Sequence, residues 1–64
     1  MHVKVAELVG ESQAGWRDAV QTAVNEATRS LGTVTGVEIL NFTANVEGGR
    51  VVEYKANVKV AYIE

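Results

Sequence analysis

Few residues of this 64-residue chain could take part in chemistry: Glu7, Glu38, Glu53 and Lys59 on strand-like segments, the sole Trp at position 16, and the sole His at position 2. Acid–base work needs titratable groups brought together in a cleft. Charges spaced along strands are ordinarily ladder neighbours that pair across a sheet. The chain has no Cys, which removes disulfides, thiol nucleophiles and thiolate metal sites. One His beside the N-terminus cannot form an imidazole cluster, and no Ser stands in a nucleophile-elbow context. Gly48-Gly49 joins two strand-like runs, whereas phosphate-cradling glycines lead into a helix. Asn41-Phe42-Thr43 matches a glycosylation pattern but falls inside a strand pattern. Trp16 has the chemistry of a ligand-stacking ring, yet its place in an apolar helix stripe assigns it to core packing. No enzyme is expected from these residues.

The elements that must position these side chains belong to one small domain, residues 1–64. A hydrophobic content of 47% with 22% charged residues describes a globular chain. The formal net charge of −2, without a basic cluster, lacks the electrostatic footprint of nucleic-acid binding. The apolar runs are far too short to span a membrane. His2 and Lys4 alternate with valines and leave no apolar leader core, so a cytoplasmic location is expected. A domain of about 60 residues buries only about 60% of its unfolded surface, and small chains compensate with disulfides, metal or oligomerisation. With the first two gone, the expected partner is another copy of the chain.

Residues 2–9 are rich in β-branched types and read as a strand that Gly10 ends. Ser12 has the chemistry of an N-cap, and a helix is predicted from there to about Leu31. Trp16, Ala19, Val20, Ala23, Val24, Ala27 and Leu31 form its apolar stripe, and Gly32 follows at the C′ position. Two further strands are predicted at about Val34–Val46 and Arg50–Ile63, joined by a tight hairpin at Gly48-Gly49. The order is β-α-β-β. With the third strand inserted between the other two, it gives an α+β fold: a three-stranded antiparallel sheet in the order 1-3-2 with the helix across one face.

Strict alternation along the second strand would point Leu40, Phe42, Ala44 and Val46 one way and Val37 and Ile39 the other. A strand apolar on both sides needs cover on both, and a chain this short has no second layer of its own to supply it.

In this order, several segments resemble the dodecin family. They are Lys4-Val5-Ala6-Glu7-Leu8-Val9-Gly10-Glu11-Ser12, Asp18-Ala19-Val20-Gln21-Thr22-Ala23-Val24, Val37-Glu38-Ile39, Val52-Glu53-Tyr54-Lys55 and Val58-Lys59-Val60-Ala61-Tyr62. The resemblance covers nearly the whole chain. It implies twelve copies assembled into a hollow sphere of cubic symmetry, a homododecamer with helices outside and curved sheets facing inward. Many such proteins store flavins as stacked pairs between aromatic side chains at a symmetry axis; some bind coenzyme A or metal ions. They are binding proteins rather than enzymes.

Carried over position by position, the resemblance marks Gly36, Val37, Thr43 and Lys55 as ligand-binding candidates. The family's stacking Trp precedes the Glu of the second strand by two residues, and Gly36 stands there. Lys55 replaces a Gln that pairs with the flavin's polar edge, and Thr43 replaces a basic residue. Gly36 would enlarge the pocket, and Lys55 would favour an anionic group such as a phosphate. The implied function is small-molecule binding and storage at an altered or lost flavin site. The alternatives are flavin held in a changed geometry, or a structural shell loading cations onto clustered Glu7, Glu38 and Glu53.

Overall fold

The computed structural model describes residues 2–64 and contains four elements: β1 (Val3–Ser12), α1 (Trp16–Ser30), β2 (Thr33–Glu47) and β3 (Arg50–Ile63). Both β1 and β2 pair antiparallel with β3, so the sheet order is β1-β3-β2, as the sequence predicts. The hairpin turns through Gly48 and Gly49 at φ of 57° and 76°, left-handed values that favour glycine. The subunit is elongated, 48 × 19 × 13 Å, because the two longest strands run the length of that hairpin.

The core is small. Ala19, Ala23 and Ala27 on one face of α1 pack against Ala56, Val58 and Val60 of β3, with Leu8, Val20, Leu31 and Val34 partly buried around them. Alanines spaced four apart keep that helix face flat, which brings α1 close to the sheet. A core of this size rarely supplies more than about 3–5 kcal/mol.

The start of the helix differs from the sequence prediction. The strand does not end at Gly10 but continues to Ser12, and α1 begins at Trp16 after Gly15. Gly10 lies under the helix, where a Cβ would fall 1.9 Å from the Ala19 carbonyl oxygen. It permits the crossing rather than stopping the strand. Ser12, expected as the N-cap, instead organises the turn. Its hydroxyl accepts from the Ala14 N–H at 2.8 Å and the Gly15 N–H at 3.4 Å, and donates to Asp18 Oδ2 at 2.6 Å. The N-cap itself is Gly15, which offers no side-chain oxygen. Ser12 is nearly buried, and Ser12→Ala would take away the hydroxyl that joins the Ala14 and Gly15 N–H groups to Asp18. It is expected to cost about 1–2 kcal/mol, lowering the melting temperature by roughly 5–10 °C at fixed protein concentration.

The two-faced reading of β2 is corrected by its register. The ladder slips between Val34 and Gly36, between Ile39 and Asn41, and between Asn45 and Val46. The second slip leaves Leu40 as an extra residue, and one extra residue inverts the alternation beyond it. Val37 and Ile39 lie opposite Val60 and Val58, and after the slip Phe42 and Ala44 lie opposite Ala56 and Tyr54. All four therefore share the helix side. The far side carries Glu38, Asn41, Thr43 and Asn45, opposite Lys59, Asn57, Lys55 and Glu53. The strand that does present apolar groups away from the helix is β1, whose Val3, Val5 and Val9 are all more than half exposed.

The helix covers mainly β1 and β3. The helix side of β2 is left open, with Val37, Ile39 and Phe42 exposed on it beside Trp16. The chain ends meet through Lys4 and Glu64, 2.6 Å apart. The hydrogen bond and charge of Glu64 raise the pKa of Lys4.

Candidate functional site

The far side of the sheet collects the charged strand residues in cross-strand rungs. Glu7, Lys59 and Glu38 form one rung, and Lys59 Nζ lies 4.0 Å from Glu7 Oε1. Glu11, Lys55 and Thr43 form another, with Lys55 Nζ 3.7 Å from Glu11 Oε2. Between them, Asn57 donates from its side-chain amide to Asn41. Nearer the hairpin, Asn45 Nδ2 donates to Glu53 Oε1 at 3.0 Å. Ladder pairing is what the sequence reading expects of such charges.

The carboxylates considered for cations do not cluster within the subunit. Lys59 separates Glu7 from Glu38, and Glu53 pairs with Asn45 farther along the hairpin. Among the described residues, no group of three Asp, Glu or His side chains is placed to hold a metal ion.

A concavity of about 520 Å³ opens at the start of β2, lined by Val5, Gly36, Val37, Glu38, Lys59 and Ala61. That volume is in the range of small-molecule sites. Its floor is the rung Val5–Ala61–Gly36, in which no side chain exceeds a valine. Gly36 contributes the hollow: a Cβ built there meets nothing within 4 Å. The ladder slip beside it leaves Thr35 unpaired in the ladder, and the Thr35 hydroxyl donates to the Ala61 carbonyl at 3.4 Å. Glu38 and Lys59 stand at the rim.

Of the four candidate residues, Gly36 and Val37 line this notch. Thr43 and Lys55 face each other elsewhere, six residues along β3 from the Ala61 rung, or about 20 Å at the ordinary rise of a strand. Within one subunit the four candidates thus occupy two places. Sequence reasoning singles out Glu38 and Lys59 as paired strand charges, and Glu38 also as a cation-loading carboxylate, and does not associate Val5 or Ala61 with Gly36. The register that unites them depends on the β2 slips, which strict alternation does not reveal.

Trp16 is not in the subunit core, as its place in the helix stripe predicts, but at the core's open end. It is 41% exposed, and its indole N–H donates to the Thr43 carbonyl at 2.9 Å. Its ring meets Tyr54 edge-on at 4.8 Å and Phe42 at 6.0 Å. Three of the four aromatic residues of the chain are therefore gathered at the uncovered helix side of the sheet.

Comparison with known proteins places this geometry. The Dodecin family model matches residues 3–64. A dodecin from Streptomyces coelicolor is 28% identical, with a TM-score of 0.91 over 98% of this chain and 91% of that one. A single-substitution variant of the dodecin of Thermus thermophilus is also 28% identical, with a TM-score of 0.89 over 98% and 96% of the two chains. A dodecin from Streptomyces davaonensis, at 21% identity, shares the fold with a TM-score of 0.90 over 95% and 90%. No protein with a curated description matches the sequence.

Proposed function

This chain belongs to the dodecin family, and from that premise we propose that it assembles into a homododecameric shell that stores a small molecule in the notch beside Gly36, without the flavin sandwich the family resemblance implies. The observation that carries the reading is Gly36 itself. A stacking ring is expected at this position, and the chain instead has an open hollow with an aliphatic floor. Loss of an indole removes a large apolar contact area and the aromatic stacking that accompanies it. A ligand in this notch would rest on Val5 and Ala61 beside Gly36 rather than between two indoles.

Assembly is supported by what the subunit leaves uncovered. Its core is six small residues, whereas Val37, Ile39, Phe42 and Trp16 on one side of the sheet and Val3, Val5 and Val9 on the other remain exposed. Apolar surface on both sides of one thin sheet calls for copies on both sides, as a closed shell supplies. The role is binding, and no step of chemistry is assigned to any residue. No helix of the described residues is long and apolar enough to cross a membrane.

Two measurements test the ligand reading. Mass spectrometry of the purified protein is expected to find a co-purified small molecule other than flavin, and added riboflavin is expected to keep its fluorescence. Yellow protein, or strong riboflavin quenching at micromolar concentration, would overturn the loss of the sandwich. Gly36→Trp is the constructive counterpart. The site has room for a side chain and its φ is not left-handed, so the subunit should tolerate the indole. The variant is expected to gain riboflavin quenching, with affinity raised at least tenfold, about 1.4 kcal/mol. Unchanged fluorescence in a folded variant would mean that Gly36 is not what removes flavin binding.

A further inference from the structure

The rim of the Gly36 notch is electrostatically uneven. Glu7, Lys59 and Glu38 form one rung with two negative charges and one positive. Lys59 has Glu7 within ion-pair distance, and its ammonium is shared with that carboxylate. Glu38 is exposed and, among the described residues, makes no ion pair or side-chain hydrogen bond. Beneath it the floor offers only Val5, Ala61 and the bare Gly36. An ionised carboxylate is an acceptor with no proton to donate. A ligand resting on this floor thus meets an unengaged acceptor at its edge and a rung of net negative charge.

Resting on the reading of this notch as the small-molecule site, we propose that Glu38 is its specificity-determining residue. It selects ligands that present amino or cationic N–H groups over ligands carrying carboxylate or phosphate. The aliphatic floor accepts any flat apolar face, so shape alone discriminates little. The charge-assisted hydrogen bond from a ring amino group to the Glu38 carboxylate supplies the discrimination, and an anionic substituent meets repulsion from the same group. This preference is opposite to the one that Lys55 would give, and Lys55 lies in the rung of Glu11, away from the notch.

The test uses the assembled protein and three fused-ring fluorophores of similar size: proflavine, a cation with two amino groups; acridine, neutral and without an N–H donor; and acridine-9-carboxylate, an anion. Fluorescence titration is expected to place proflavine at least about tenfold tighter than acridine-9-carboxylate, with acridine between them. Glu38→Gln, nearly isosteric and exposed, is expected to cut that ratio about tenfold. Glu11→Gln removes the same charge outside the notch and is expected to leave the ratio unchanged. Equal effects of the two substitutions would reduce the preference to overall protein charge and overturn the inference, as would tighter binding of the anion. In both cases binding itself would survive. Failure of all three rings to bind would instead refute the notch as a small-molecule site, and the role of Glu38 with it.

Discussion

Gly10→Ala is expected to be the most damaging single-methyl change in this chain, lowering stability by about 3 kcal/mol or more and the melting temperature by well over 10 °C. The added Cβ would fall 1.9 Å from the Ala19 carbonyl oxygen, 2.9 Å from its carbon and 3.0 Å from the Ala23 Cβ. The first two are helix backbone and cannot rotate away. The helix must lift from β1, which opens the contact between Ala19, Ala23 and Ala27 and the valines of β3. Since these are half of the buried core, there is no second layer to absorb the shift. Gly36→Ala is the matched control. It adds the same methyl to a strand glycine with nothing within 4 Å and is expected to be near neutral. Thermal unfolding of the two variants at equal protein concentration makes the comparison, and similar melting temperatures would mean that the helix does not rest on Gly10.

The same glycine illustrates what was legible in the sequence. Element order, sheet order, the hairpin and the helix stripe followed from periodicity and turn residues, because these signals are local. Gly10 was read as a strand terminator, since a glycine after β-branched residues is a turn signal wherever no neighbour is known. Its role is to let a helix pass, and that helix is a tertiary neighbour. Ser12 was likewise assigned the right chemistry, hydroxyl to free N–H groups, at a turn one step away from the expected helix cap. In β2 strict alternation takes no account of the extra residue at Leu40. Ladder slips leave no firm mark in a strand of apolar and polar residues, so the two-faced reading followed.

The candidate site was half legible. Family position points to Gly36 and Val37, and both line one concavity. Val5 and Ala61 were missed because their union with Gly36 runs across three strands. Trp16 shows the same limit. Helical spacing puts it on the stripe, but the stripe begins past the edge of what the subunit covers, and its one ring emerges beside Phe42. A stripe residue that the subunit leaves exposed is a sign of a missing neighbour.

Phe42→Glu is expected to break the assembly while leaving the subunit fold largely intact. Phe42 is 50% exposed and packs on Trp16 at the open helix side of β2, next to Ile39 but outside the buried core. In a free subunit a carboxylate there remains hydrated. In an assembly that covers this side, each copy must bury an unpaired charge, at a cost of several kcal/mol per contact. Symmetry repeats that cost at every equivalent interface, so dissociation should be nearly complete at micromolar concentration. Size-exclusion chromatography with light scattering is expected to give a mass near twelve subunits for the unaltered chain and a much smaller species for the variant, with circular dichroism reporting retained secondary structure. Ile39→Lys, one ladder slip away and 39% exposed, should act in the same direction. Gln21→Glu, on the exposed face of α1, should leave the mass unchanged. Full-sized particles from both β2 variants would mean that this side of the sheet faces solvent in the assembly. The contact would then have to come from Val3, Val5 and Val9 on the far side, next to the Gly36 notch.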